Sequence, residues 1–252
     1  MALLAVESVS VVFGGLAALH EVSLSVEAGT VCAVIGPNGA GKTTLFNAIS
    51  GYEQPRSGTV RLDGHPITGL PAHAISRLGL RRTFQNGGVF GEMTVLENVI
   101  VGADRATKSS VPGVLFGLPR HRREERRAVA DSLAMLARVG IDRLAQARMR
   151  DLSFGQQRLV EITRALISQP RILLLDEPAV GLSQAERDEL ATTLRQLASD
   201  GIAVLLVEHV IDLVMAVSDQ VLVLNFGRVL AEGTPAEVRA DQAVLEAYLG
   251  SA

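Results

Sequence analysis

VCAVIGPNGAGKTTLFNAISG, Val31 to Gly51, runs from an apolar stretch through a glycine-rich turn into a short amphipathic segment. Val31 to Ile35 reads as a strand buried on both faces, the pattern of a parallel sheet. Lys42 to Ile49 predicts a helix that stops at Gly51, where glycine takes the left-handed conformation that ends helices. Between them, Gly36-Pro37-Asn38-Gly39-Ala40-Gly41-Lys42-Thr43 satisfies G-x-x-x-x-G-K-[ST]. Glycines at those positions let the loop turn its backbone N–H groups inward around phosphate oxygens, and the helix start adds positive potential. Lys42 can then reach the β and γ phosphates, and Thr43 is placed to ligate Mg²⁺. Strand, loop and helix together predict a P-loop site for a nucleoside triphosphate.

Working outward, Leu3 to Gly36 is β-rich: Val9, Val11 and Phe13 alternate, as do Leu24 and Val26, and Glu27-Ala28-Gly29 supplies a turn. Thr59 to Leu62, before Asp63-Gly64, predicts a further strand. From about Phe90 to Leu166 the pattern turns helical, with His121 to Val139 amphipathic and closed by Gly140. Residues 105–119 predict an exposed loop. After Pro170 the chain alternates again: strand Ile172 to Leu175, helix Gln184 to Ala198, strand Ala203 to Val207, helix Val210 to Val217, strand Val221 to Leu224, and a turn at Asn225-Phe226-Gly227. The expectation is an α/β fold with an N-terminal antiparallel β subdomain and an inserted α-helical subdomain. The core spans about 1–86 and 167–252, and the insertion about 87–166.

A chain of 252 residues, 48% hydrophobic, can bury a large core. Its net charge of −3 sets up no field that would gather nucleic acid. The basic tract Pro119 to Arg127 carries two glutamates and opens an amphipathic helix, so a solvated face is its reading. Cys32 is the single cysteine, which excludes an intrachain disulfide and fits a reduced cytoplasmic setting. The N-terminal stretch does not read as a signal peptide, and no apolar run approaches the ~20 residues of a membrane span. Work at a membrane would require another protein to hold this one there.

A second stretch, Ile172-Leu-Leu-Leu-Asp-Glu-Pro178, ends a buried strand in two carboxylates, and the carboxyl ends of parallel strands are where ligands collect. Asp176 would hold Mg²⁺ and Glu177 would polarise the attacking water as general base. The kind of P-loop NTPase is decided by Leu152-Ser153-Phe154-Gly155-Gln156-Gln157. It opens a helix with Leu159, Ile162 and Leu166 on one face, and Ser153 with Gln156 fits a capping box. About twenty residues before the Asp-Glu pair, LSFGQQ resembles the signature motif of ABC ATPases.

That resemblance implies a fold, a cofactor and a partner. The family binds MgATP, and its signature residues, here Ser153, Phe154, Gly155 and Gln156, contact the γ-phosphate of ATP held by the opposite subunit. A serine hydroxyl, a glycine backbone and a helix start suit an anion. With one phosphate loop and one signature, this chain needs a second ATPase subunit, alike or unlike, to complete two sites. The cradle would be Gly36, Pro37, Asn38, Gly39, Ala40, Gly41, Lys42, Thr43 and Thr44. Gln85 resembles the glutamine that contacts Mg²⁺ and water, and His209 resembles the switch histidine that contacts the γ-phosphate. Phe13 resembles the aromatic that stacks on adenine, although a phenylalanine in a strand is equally a core residue.

The tracts Phe13 to Leu19, Arg82 to Gly102 and Val223 to Val238 are similar to the ATP-binding subunits of branched-chain amino acid importers. The resemblance implies integral membrane permeases as partners, a solute-binding protein acting indirectly, and a place on the cytoplasmic face of the membrane. Related systems that move urea, short amides or lipids are the alternative, followed by a soluble P-loop kinase or GTPase, which would leave LSFGQQ and His209 unexplained. Two positions depart from the family pattern. Ser183 stands where aspartate or asparagine is usual, and Val210 where aspartate often follows the histidine.

Overall fold

The computed structural model describes residues 2–83, 88–103 and 119–249. The chain divides into two compact units, one formed by 1–85 with 171–252 and the other by 86–170.

The first unit holds two sheets. β1 (Ala2–Phe13) and β2 (Leu16–Glu27) form a long antiparallel hairpin, extended by β4 (Ser57–Leu62) and β5 (His65–Pro66) in the order β2-β1-β4-β5. Alternation governs these strands: Val9, Val11, Leu24 and Val26 are buried while their neighbours face water.

The second sheet contains β3 (Val31–Ile35), β6 (Leu80–Arg82), β7 (Ile172–Asp176), β8 (Ala203–Val207), β9 (Gln220–Asn225) and β10 (Arg228–Gly233). Their order is β10-β9-β3-β8-β7-β6, parallel from β9 to β6, with β10 returning antiparallel along β9. β3, β7 and β8 are buried at every position, which is why they read as unbroken apolar runs. On one face Val34, Leu174, Leu205 and Leu222 join a single core with Leu45, Phe46 and Ile49 of α1 (Lys42–Ser50) and with Leu4, Val6 and Val26 of the antiparallel sheet. α1 thus packs between the parallel sheet and the antiparallel one.

α2 (Ala72–Arg77) precedes β6, and neither has a counterpart in the sequence reading: each is too short to show a period. Along the chain the other helices are α3 (Val95–Gly102), α4 (Pro119–Val139), α5 (Phe154–Leu166), α6 (Gln184–Ser199), α7 (Ile211–Val217), α8 (Pro235–Ala240) and α9 (Gln242–Leu249). Leu190, Leu194 and Leu197 form the buried stripe of α6, whose neighbours include β3 and β8.

In the second unit Val95 and Val99 of α3, Leu136 of α4, Met149, and Leu159 and Val160 of α5 share one core. Asn98, fully buried, holds the approach to α3: its Oδ1 accepts from Phe90 N at 2.9 Å, and its Nδ2 donates to the carbonyls of Phe90 and Thr94 at 3.1 and 3.0 Å. A buried side-chain amide with all of these bonds made fixes the loop, alongside a short antiparallel bridge between Thr94 and Arg148. The predicted loop at 105–119 lies outside the described residues except for its last position, Pro119, which opens α4. No helix among the described residues is long and apolar enough to cross a membrane.

Candidate functional site

At the carboxyl end of β3 the chain leaves the sheet through Gly36, whose φ is 151°. A Cβ there would enter the carbonyl oxygen of Leu224 on β9, so only glycine permits the exit. Gly41 (φ 103°) is confined from the other side, since its Cβ would stand 2.7 Å from the carbonyl oxygen of Ala18 on β2. The loop is therefore held between strands of both sheets. Its outer edge is tied as well: Gly227 N donates to Ala40 O at 3.0 Å, and Gly227 O accepts from His20 N at 2.8 Å.

Inside the loop, Lys42 Nζ donates to the carbonyls of Gly36 (2.7 Å) and Pro37 (2.9 Å). The ammonium thus arches over the space the loop encloses. Burial lowers its pKa from the ordinary lysine range, while the carboxylates of Glu177 and Asp176 push the other way. α1 starts at Lys42 with Gly41 as its cap, without a side-chain capping bond and without an acidic residue in its first turn. No side chain of its own first turn caps or neutralises those amides, the arrangement of an anion-binding helix start. Asn38–Thr44, Glu177, Ala17, Ala18 and Gly227 line a cleft of about 410 Å³, whose apolar wall is completed by Leu16 and Phe226.

β8 lies between β3 and β7, so the groups following all three strands share one edge of the sheet. Asp176 ends β7 and is buried. Its Oδ2 accepts from Arg82 Nη2 at 3.0 Å, while Oδ1 is buried without a hydrogen-bond partner. A buried carboxylate oxygen in that state is costly unless a further donor or a cation meets it, and this is the feature that fits Mg²⁺. Arg82, from the end of β6, also donates to Asn47 Oδ1 (2.7 Å) and Ser50 Oγ (3.0 Å) of α1, and stands over the rings of Phe46 and Tyr52. It thereby fastens Asp176 to the helix that carries Lys42.

Glu177 follows with φ 48°, its N–H donating to Val207 O at 2.8 Å. A left-handed non-glycine residue costs on the order of 1 kcal/mol, and such residues gather where function holds them. His209 follows β8 with its side chain exposed. The residue between, Glu208, is fully buried and accepts three backbone N–H groups.

In the second unit Ser153 caps α5: its Oγ accepts from Gln156 N at 3.3 Å, and Gln156 Oε1 accepts from Ser153 N at 3.1 Å. Phe154, the first residue of the helix, is 72% exposed, whereas Gly155 is buried. Gln157 Nε2 donates to Leu152 O at 3.0 Å and secures the turn. Ser183 has a structural task of the same kind, capping α6 in a box with Glu186.

Gln85 lies outside the described residues. Phe13, at the tip of the β1–β2 hairpin, is 47% exposed and does not line the cleft. It is not a core residue, and the apolar wall instead comes from its hairpin neighbour Leu16 and from Phe226. Three residues escape a reading of the sequence: Arg82, Phe226 and Glu208. Of these, Glu208 left a trace, because a carboxylate ends an apolar strand there just as Asp176 ends β7.

A phosphate loop leaving the central strand of a parallel sheet, with Asp176 and Glu177 at the end of a neighbouring one, defines a P-loop NTPase. Comparison with known proteins narrows this. The pattern of the family described as ABC transporter matches residues 19–180, and that of the Branched-chain amino acid ATP-binding cassette transporter matches 228–252. The high-affinity branched-chain amino acid transport ATP-binding protein BraF of Pseudomonas aeruginosa is 45% identical over 251 residues, covering 99% of this chain and 98% of its own. LivG of Escherichia coli, of the same description, is 40% identical with the same coverage. Among solved structures, the ADP conformation of MJ1267, an ATP-binding cassette of an ABC transporter, superposes with a TM-score of 0.87 at 34% identity, covering 99% of each chain. The chain belongs to the ABC transporter family, as one of its ATP-binding proteins, and it is an ATPase.

Proposed function

We propose that this protein is the subunit that energises an importer of branched-chain amino acids, working on the cytoplasmic face of a membrane with permeases as partners. The observation that carries the ATPase part is the uncapped start of α1 inside a loop whose glycines are enforced by neighbouring backbone. Support for the solute is the description of BraF and LivG, together with the family match over 228–252. A solute-binding protein would deliver it.

In this reading Gly36–Thr44 cradle the phosphates, Lys42 moves from the loop carbonyls to the β and γ oxygens, and Leu16 and Phe226 face the base, joined by Phe13 from the hairpin tip. Thr43, Asp176 and Gln85 would hold Mg²⁺, which supplies neutralisation of charge at the β and γ phosphates. Glu177 accepts a proton from the attacking water, and His209 donates to the γ-phosphate. Ser153, Phe154, Gly155 and Gln156 serve the ATP of a second ATPase subunit, so hydrolysis needs two chains. ATP draws the two together, and hydrolysis releases them, which reorients the membrane partner.

The test is MgATP hydrolysis per subunit against protein concentration, alone and with permeases and second ATPase from the same source. A rate that rises with either and vanishes in Ser153→Ala is expected. A rate indifferent to both would make each chain a complete enzyme and end the two-chain reading. Glu177→Gln is expected to bind ATP and persist as a dimer on a sizing column, and rapid turnover by that variant would remove Glu177 as base. Uptake of labelled leucine into vesicles carrying the assembled transporter tests the solute.

A further inference from the structure

We infer that Glu208 is a positioning residue that joins the loop after Glu177 to the loop bearing His209, so that the two respond to the γ-phosphate as one piece. This rests on the reading of His209 as a γ-phosphate contact.

The main-chain ladder between β7 and β8 reaches Asp176, which pairs with Val207, and ends on the bond from Glu177 N to Val207 O. Beyond that point both strands turn into loops, and the side chain of Glu208 continues the connection. Its Oε1 accepts from Ala179 N at 2.7 Å, two residues past Glu177. Its Oε2 accepts from His209 N at 2.8 Å and from Val210 N at 3.0 Å. The residue is fully buried and does not line the cleft, so it acts through its neighbours rather than on substrate.

Such an arrangement couples motions. Charge-assisted bonds from backbone N–H to a carboxylate are about twice as strong as neutral ones, and a buried carboxylate that loses a donor retains its full desolvation penalty. If the His209 loop moved without the Ala179 loop, one oxygen of Glu208 would be stranded. Movement of both together keeps all three bonds. The loop that carries the base is therefore tied to the loop that touches the phosphate, through one side chain.

The experiment is a double-mutant cycle in the assembled transporter, reading single-turnover hydrolysis and, separately, affinity for a fluorescent ATP analogue. Glu208→Gln preserves size but presents an NH₂ group to one set of donors. We expect it to lower the hydrolysis rate by roughly tenfold or more with analogue affinity within about twofold of wild type. In the His209→Ala background the same substitution is expected to lower the rate by a clearly smaller factor than in wild type, because the part of its effect that runs through His209 is gone. Equal losses in both backgrounds, or a loss of affinity alone, would overturn the proposal in favour of a plain structural role. His209→Ala at wild-type rate would instead remove the reading of His209, and the proposal with it. Should Glu208→Gln not fold, amide hydrogen exchange on the Glu177→Gln protein decides. Protection of Ala179, His209 and Val210 changing together on ATP addition supports the link, and changes at His209 and Val210 without Ala179 overturn it.

Discussion

Two helix starts in this molecule face the same chemical problem and solve it differently. α1 opens at Gly41 with no side chain on its first amides and no acidic residue in its first turn. α5 opens at Ser153 in a complete capping box, in which the amides of Ser153 and Gln156 are met by each other's side chains. Left unligated, the first turn of a helix exposes four N–H groups. Where the protein leaves these unfilled, it leaves room for an anion, and α1 is such a place. At α5 the box already engages two of those groups through side chains, so this helix start is capped before any ligand arrives. The boxes elsewhere sharpen the point. Those of α3, α6 and α8 use Glu97, Glu186 and Glu237 at the third helical position, whereas α5 uses the neutral Gln156. A carboxylate would cap as well but would repel a phosphate. Among the described residues, the box without a charge is the one in LSFGQQ.

The contrast breaks most severely at Gly36→Ala. The new methyl would collide with the Leu224 carbonyl, which belongs to the sheet and cannot retreat. The loop must then re-form, and loss of ATP affinity by roughly 100-fold or more is expected in a titration with a fluorescent analogue. Gln156→Glu probes the other helix start. It retains the box, so the melting temperature should hold, yet hydrolysis by the assembled transporter should fall at least about tenfold from like-charge repulsion. A melting temperature that drops in step with activity would mean that Gln156 serves the cap alone.

Phe226→Ala is milder. Phe226 is 86% exposed with a left-handed φ of 45°, and its neighbour Gly227 is bonded to Ala40, so the ring is held beside the loop at some backbone cost. If it faces the base, ATP should bind about five- to tenfold more weakly while tripolyphosphate, which has no base, binds as before. Equal weakening of both ligands would assign Phe226 to the shape of the loop instead.

What could be read from the sequence follows the same division. Gly36 to Thr43 and Asp176-Glu177 carry their chemistry in contiguous residues, and the Ser153 box lies within a single helical turn, so neighbours along the chain were enough. Arg82 could not be read this way. It sits on a three-residue strand and acquires meaning only when β6 lies beside β7 and under α1. Phe226 depends on a turn fastened to the phosphate loop some 190 residues earlier in sequence, and Glu208 on strands that pair across a helix. The C-terminal box Thr234-Pro-Ala-Glu237 was legible in principle, with proline at the first helical position, but its short helix has too few apolar residues to announce a period.

The smallest effect concerns Cys32, one strand position into β3 and directly upstream of the loop. Burial, aided by Glu232 and Asp219, raises its thiol from 9.0 to about 12. The folded protein therefore holds this proton where the unfolded chain releases it. Stability drawn from that difference is intact below pH 9 and is lost as pH rises from 9 toward 12, since the unfolded state alone gains from ionisation in that window. At pH 8 the native protein should react with a thiol reagent only as fast as it opens globally, and the rate should match unfolding measured independently. If the strand beneath the loop were loose, labelling would outrun unfolding and would slow on addition of ATP. A labelling rate equal to the unfolding rate and changed by ATP only as far as unfolding itself is changed would place the preorganisation of the α1 site in the sheet, with its ligand added to a frame already set.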